Sequence, residues 1–189
     1  MLEEIQNIDN QLIIFVANYL RNPVTDFILP IFRNMYTWVP FYILGSIYII
    51  YSFKVKGIYW ILSLIIVIGL TDAIGNYGFK KSFKRTRPCN EISLKAEIKP
   101  LIECGSGFSF ISNHAANHFA IANFIVLSIC RESKRKKIAL YLWASIISFA
   151  QVYVGVHYFS DIIVGGIVGI LVSSIVYHLI PLQYKLKIQ

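Results

Sequence analysis

Five long apolar stretches restrict most strongly what this 189-residue chain can fold into. A helix needs roughly 20 apolar residues to cross a hydrocarbon core of about 30 Å. The stretches that reach this length, within two or three residues at each end, are 36–53, 58–79, 114–130, 137–155 and 161–181. Charged residues make up only 15% of the chain, whereas soluble domains carry about 25%. The sequence therefore predicts an all-α, integral-membrane helical bundle.

The first 34 residues follow a different pattern. Apolar residues recur near helical spacing over 5–20, after an acidic start that contains Glu3 and Glu4. This pattern is typical of an amphipathic helix at the membrane surface. A sixth span, formed together with 22–34, is the alternative, so we expect five or six transmembrane helices. The predicted regions are an N-terminal amphipathic or interfacial segment at 1–34, a transmembrane domain at 35–182 and a cytoplasmic tail at 183–189.

The net charge of +8 comes from Lys and Arg residues that lie in short clusters between apolar stretches. A nucleic-acid-binding protein would instead carry a continuous basic face on a soluble domain, so we expect no nucleic-acid partner. Basic loops tend to stay in the cytoplasm, which leaves the loop 80–113 outside although it too is basic. We interpret this exception as an anion-binding loop, and a chance run of charge is the alternative.

Three polar groups interrupt the apolar pattern, each at the outer end of a predicted span. They are Lys80 with Arg87 and Pro88, then Ser112, Asn113 and His114, and finally His157 with Asp161. Ionisable residues near a bilayer are costly and are usually paired or functional. We therefore expect the three groups to meet around one pocket, where Lys80 and Arg87 bind phosphoryl oxygens.

The second and third groups have their own uses at an anion site. Ser112 and Asn113 are good N-cap residues, and the free N–H groups at a helix start bind anions. His114 follows in the first turn of that helix. Asp161 can accept a hydrogen bond from one nitrogen of His157, which leaves the other nitrogen free to attack. A structural His–Asp pair is the alternative.

The order and spacing of these groups resemble the motifs of the type 2 phosphatidic acid phosphatase superfamily. That family shows K-x6-R-P, then P-S-G-H, then S-R-x5-H-x3-D. The first motif is complete here. Ile111 and Asn113 stand at the usual Pro and Gly of the second, and Ala150 and Gln151 replace the Ser and Arg of the third. The resemblance covers about half the chain, and it is carried by the combination of motifs.

The resemblance implies the fold of that family and hydrolysis of a lipid phosphate monoester or diphosphate without a cofactor or metal. His157 would attack phosphorus and form a phosphohistidine, Asp161 would orient it, and His114 would protonate the departing oxygen. The implied phosphate-binding residues are Lys80, Arg87, Ser112, Asn113 and Gln151. Family habit places such enzymes in the bacterial inner membrane with the site facing the periplasm.

The lipid substrate and the oligomeric state are left open. The short chain is similar to the bacterial undecaprenyl-pyrophosphate phosphatases of this family, and phosphatidylglycerol phosphate, phosphatidate and lipid A phosphates are further candidates. Because Gln151 removes a charge, a catalytically weak phospholipid-binding relative is a second hypothesis. Compensation for the lost charge by Arg85 or Lys84 is the alternative. An anion transporter is disfavoured because the chain shows no repeat symmetry between two halves.

Other polar residues receive structural interpretations. His118 is predicted to pack or face the pore, since no carboxylate or cysteine completes a metal site with it. Asp72 is predicted to form a hydrogen bond inside the bundle, and Ser160 to cap the last span. Cys89 and Cys104 share the outer loop, so we predict a disulfide between them, with two free thiols as the alternative.

Overall fold

The computed structural model describes residues 2–181 and 185–186, and these contain helices and no strand. We number the main helices α1 Leu2–Phe15, α2 Pro23–Arg33, α3 Met35–Phe53, α4 Val55–Ala73, α5 Ile92–Ile98, α6 Asn113–Ser128, α7 Lys134–Tyr153 and α8 Phe159–Leu179. Helix α4 continues through a π-helix at Ile74–Lys80 and a last turn at Lys81–Phe83. The predicted tail 183–189 lies outside the described residues, apart from Lys185 and Leu186.

The five predicted spans correspond to α3, α4, α6, α7 and α8, with boundaries that differ by a few residues. By length and composition, the helices Val55–Phe83 and Phe159–Leu179 are apolar enough to cross a membrane. The outer faces of α3, α4 and α8 expose large apolar side chains, which include Leu44, Ile47, Leu62, Ile65, Ile163 and Leu171. Such a surface suits lipid rather than water. The prediction of an all-α membrane bundle is confirmed.

The N-terminal segment packs against the end of the bundle where the predicted polar groups lie. The guanidinium of Arg21 donates hydrogen bonds to the carbonyl oxygens of Ile98, Lys99 and Tyr153, at 2.5–2.8 Å. The hydroxyl of Tyr153 donates to Asp26 at 2.6 Å. These contacts hold α2 beside the C-terminal end of α7. The position of 1–34 relative to the bilayer surface stays a prediction.

The long loop between α4 and α6 is held by a disulfide. Cys89 and Cys104 are bonded across a Cα–Cα distance of 5.8 Å, which confirms the predicted pairing. Cys89 is fully buried together with Leu94 and Ile98 of α5. The loop that carries Arg87 is therefore fixed to the packed core beneath it.

Helices α6 and α8 form the most extensive contact between helices in the described chain. Glycines of α8 permit this approach: a Cβ atom at Gly165 would lie 2.7 Å from the carbonyl oxygen of Ser112, and one at Gly169 would overlap the carbonyl oxygen of Ala116. Small residues serve the same purpose in other membrane helix pairs. The contact brings the first turn of α6 next to the first turn of α8.

We expect Gly169→Ala to lower the free energy of unfolding by about 1–3 kcal/mol, because the added methyl group forces two tightly packed backbones apart. Thermal unfolding in detergent measures the effect. Gly69→Ala is the matched control, since a Cβ atom at Gly69 of α4 meets nothing within 4 Å. Equal midpoints for the two variants would contradict close packing of α6 on α8.

Candidate active site

The predicted polar groups meet at one end of the bundle, around a cavity of about 280 Å³. The predicted site residues that line it are Lys80, Arg87, Asn113, His114, Gln151 and His157. They come from the end of α4, the following loop, the first turn of α6, the last turn of α7 and the connection before α8. Ser112 and Asp161 are fully buried behind the cavity wall. The expected convergence of the three groups is confirmed.

His157 and Asp161 form a buried pair at the base of this cavity. Nδ1 of His157 lies 3.3 Å from Oδ2 of Asp161, and Nε2 lies 3.4 Å from Nη1 of Arg87. Ser109, which the sequence analysis missed, donates a short hydrogen bond to the same carboxylate oxygen. Burial lowers the pKa of the His157 imidazole, against the opposing effect of Asp161. A neutral ring with Nδ1–H directed at Asp161 carries its electron pair on Nε2, on the side of Arg87.

Asp161 also takes part in an ion-pair network that the sequence analysis did not predict. Nη1 of Arg85 lies 2.7 Å from Oδ1 of Asp161, and Nη2 lies 2.7 Å from Oδ2 of Asp9 in α1. Arg85 therefore connects the N-terminal helix to the His–Asp pair. The suggestion that Arg85 or Lys84 compensates for Gln151 is wrong, because Arg85 lies behind the carboxylate and Lys84 is exposed outside the cavity.

The predicted cap of the last helix is wrong as well. Helix α8 begins at Phe159, so Ser160 already lies in its first turn. Its hydroxyl donates a short hydrogen bond to Asp9. Asp161 instead accepts the backbone N–H of Tyr158 at 2.9 Å. The carboxylate that faces His157 thus also caps the start of α8. This second contact fixes the orientation of the carboxylate.

The start of α6 has the predicted cap. The hydroxyl of Ser112 accepts the backbone N–H of Ala115 at 3.4 Å. The side chain of Asn113 turns away from this cap and donates to Asp72 of α4 at 2.7 Å. A side chain at Gly75 would overlap the Asn113 amide. Asn113 is therefore accommodated by a glycine opposite it, and it lines the cavity from the start of α6.

Asp72 lies within the bundle, where asparagine side chains donate hydrogen bonds to its carboxylate. It accepts hydrogen bonds from Asn76, Asn113 and Asn117 at 2.7–3.3 Å. Asn76 in turn accepts a hydrogen bond from Nζ of Lys80 at 3.2 Å. The predicted structural role of Asp72 is confirmed. Through Asn76, Asp72 also holds the ammonium group of Lys80 beside α4.

His118 has the packing role predicted for it. Its Nδ1–H donates to the carbonyl oxygen of His114 at 2.8 Å, and its ring meets Trp143 edge-on, with 5.1 Å between centroids. Over residues 2–181 and 185–186, no group of three His, Cys, Asp or Glu side chains is placed to hold a metal ion.

A third cation lines the cavity. Arg33, the last residue of α2, lies on the same wall, and its Nε donates to Oε1 of Gln151 at 3.2 Å. Arg87 lines the same cavity, where burial lowers the pKa of its guanidinium and the charge of Asp161 opposes this shift. Arg33 has no recognisable signal in the sequence, because it is a single basic residue that lies 118 positions from the residue it contacts.

A membrane helical bundle that holds a buried His–Asp pair beneath three cations is suited to phosphoryl transfer. The family model of the PAP2 superfamily matches residues 57–185. The chain is 33% identical over 178 residues to lipid A 4'-phosphatase of Bacteroides thetaiotaomicron, covering 89% of this chain and 75% of the relative. It is 25% identical over 180 residues to lipid A 4'-phosphatase of Porphyromonas gingivalis, covering 93% and 74%.

The fold is also similar to a solved structure. The transmembrane PAP2-type phosphatidylglycerolphosphate phosphatase from Bacillus subtilis superposes with a TM-score of 0.69 at 24% identity, over 93% of this chain and 85% of that chain. The chain belongs to the PAP2 superfamily and is a membrane lipid phosphatase.

Proposed function

We propose that this protein hydrolyses a lipid phosphate monoester or diphosphate through a phosphohistidine formed on His157. One observation carries the proposal: His157, with Nδ1 at Asp161 and Nε2 beside Arg87, lines a cavity that His114, Lys80 and Arg87 also line. A nucleophile, a proton donor and two cations thus surround a space in which one phosphoryl group fits.

The reaction proceeds in two displacements. Nε2 of His157 attacks phosphorus, the bond from phosphorus to the lipid oxygen breaks, and His114 gives that oxygen a proton. Water then attacks phosphorus of the phosphohistidine and His114 accepts a proton from that water. The bond from phosphorus to Nε2 of His157 breaks, which restores the imidazole and releases inorganic phosphate. Asp161 stabilises the positive charge that His157 acquires in the first step.

Residues of the cavity wall stabilise the negative charge on the phosphoryl oxygens. Lys80 and Arg87 supply positive charge, and the start of α6 presents the backbone N–H of Asn113 with the positive end of the helix dipole. Ser112 supports this turn as its cap. Gln151 provides amide hydrogens but no charge.

Two relatives are named lipid A 4'-phosphatases, so lipid A 4'-phosphate stands beside phosphatidylglycerol phosphate, phosphatidate and undecaprenyl pyrophosphate as a candidate substrate. A second cleft of about 490 Å³ shares Arg33 and His114 with the catalytic cavity. Pro30, Ile31, Met35 and Thr37 give it a mixed apolar and polar lining. We assign it to the part of the lipid that adjoins the phosphate.

We place the protein in a bacterial inner membrane, with the site on the periplasmic face. The connections before α4 and before α7 are basic and lie at the opposite end of the bundle from the cavity. This arrangement agrees with the tendency of basic loops to stay in the cytoplasm. Labelling of single cysteines introduced in each connection, with a reagent that does not cross membranes, tests the orientation.

Phosphate release from the four candidate lipids, each labelled with ³²P in the scissile phosphate, tests the proposed reaction. We expect release from at least one lipid, and protein-bound label after an alkaline quench that preserves phosphohistidine. The label should be lost in acid and absent from the His157→Ala variant. Tight lipid binding without phosphate release would favour the phospholipid-binding relative, and label retained by His157→Ala would exclude this nucleophile.

A further inference from the structure

Gln151 is a buried amide with an unused donor at the catalytic cavity. Its side chain is fully buried, and Oε1 accepts the hydrogen bond from Arg33. Its Nε2 has no hydrogen-bond partner among the described residues. A buried polar group without a partner is costly. Since Gln151 lines the cavity, an acceptor such as a phosphoryl oxygen would satisfy this donor.

Arg33 is held in place by the same amide. It ends α2, which the contacts of Arg21 and Asp26 fix against α7. Within the described chain no carboxylate forms an ion pair with Arg33. Its guanidinium is half-buried and stands where the catalytic cavity meets the second cleft. A partly buried cation is stabilised by an anionic partner, and none of the residues that the structure describes supplies one to Arg33.

Three cations share this one cavity. Arg33, Lys80 and Arg87 all line it, and the single carboxylate on its described wall is the exposed side chain of Glu103. Burial, and then the charge of Arg87, lower the pKa of the Arg33 guanidinium. The three like charges repel one another, and a bound phosphate would offset this repulsion through its attraction to each of them.

We propose that Arg33 is a phosphate-binding catalytic residue, which supplies from the N-terminal segment the positive charge that residue 151 lacks. Gln151 orients Arg33 through Oε1 and donates its own Nε2–H to the same phosphoryl group. The PAP2 motif has an arginine at the position that Gln151 occupies here. In this chain the equivalent charge comes from Arg33 on α2 instead. The inference rests on the proposed function, since it assigns a ligand to the same phosphoryl group.

Relocating the charge tests the inference. The variants are Arg33→Gln, Gln151→Arg and the double variant, measured for kcat/KM and for competitive inhibition by inorganic phosphate. We expect Arg33→Gln to lower kcat/KM roughly tenfold to hundredfold, the effect of losing one charge-assisted hydrogen bond, and to weaken phosphate inhibition. The double variant should regain most of both, because Gln151→Arg returns a guanidinium to the cavity.

Arg135→Gln is the matched control. It removes the same charge from the exposed first turn of α7, at the opposite end of that helix from Gln151, and both readings should stay within twofold of wild type. Unchanged kinetics in Arg33→Gln would overturn the inference. Lost activity with unaltered phosphate inhibition and no recovery in the double variant would also overturn it, since Arg33 would then act only in folding.

The proposed function and this inference fail separately. If the wild type releases phosphate from no lipid, the proposed function is wrong, but binding of inorganic phosphate can still be measured by ³¹P nuclear magnetic resonance. Weaker phosphate binding by Arg33→Gln than by Arg135→Gln would then support Arg33 as an anion ligand. Equal binding by the two variants would exclude it.

Discussion

His157→Ala is expected to lower kcat for phosphate release by at least about 10⁴-fold, which is the scale seen when a nucleophile is removed from an intact catalytic unit. The cavity would keep its cations and still bind phosphate, so KM should change much less than kcat. Phosphate release from the best lipid substrate, measured under single-turnover and steady-state conditions, gives both values. Added imidazole should restore part of the activity by entering the space that the side chain leaves.

His178→Ala serves as the histidine control for this experiment. His178 lies in the last turn of α8, at the other end of the helix that His157 precedes, and its ring is exposed with Nδ1 donating to the carbonyl oxygen of Ser174. Its kcat should equal that of wild type. A His157→Ala variant that retains more than about a tenth of wild-type kcat would rule out covalent catalysis by this residue. A loss of that size is far smaller than the loss expected when the nucleophile is removed.

The bundle itself could be predicted from the sequence because its determinants are local. A run of about 20 apolar residues in a helix matches the bilayer thickness, and α3, α4, α6, α7 and α8 all lie where such runs occur. The polar motifs could be placed together for the same reason. Each lies at a helix end, and alternation of the helices brings those ends to one side.

The contacts that complete the site join distant parts of the chain and leave no local pattern. Arg85 reaches Asp9 across 76 positions, and Arg33 reaches Gln151 across 118. In each pair, one residue belongs to the N-terminal segment and the other packs against it. The amphipathic pattern of that segment indicates a helix but not the surface on which the helix packs. Ser109 was missed because a lone serine in a loop is common, and only its contact with Asp161 gives it meaning.

Asp161→Asn is expected to lower kcat roughly 10³–10⁴-fold, as seen when an amide replaces the carboxylate that orients a catalytic histidine. The amide carries no negative charge to stabilise His157 as it becomes cationic. It also presents an N–H₂ group either to Arg85 or to Ser109 and His157, all of which direct donors at the present carboxylate. Single-turnover phosphate release measures the loss of kcat.

Asp9→Asn separates this catalytic effect from the loss of a buried ion pair. Asp9 is the other carboxylate of Arg85, at the same 2.7 Å distance, but it does not touch His157. Both substitutions break one buried pair to Arg85, a change that commonly costs about 3–5 kcal/mol of stability, so both should lower the thermal midpoint in detergent. Only Asp161→Asn should lose orders of magnitude in kcat at a temperature where both variants are folded. If Asp9→Asn loses as much, then Asp161 acts by anchoring Arg85 and the N-terminal helix, and His157 does not depend on its charge.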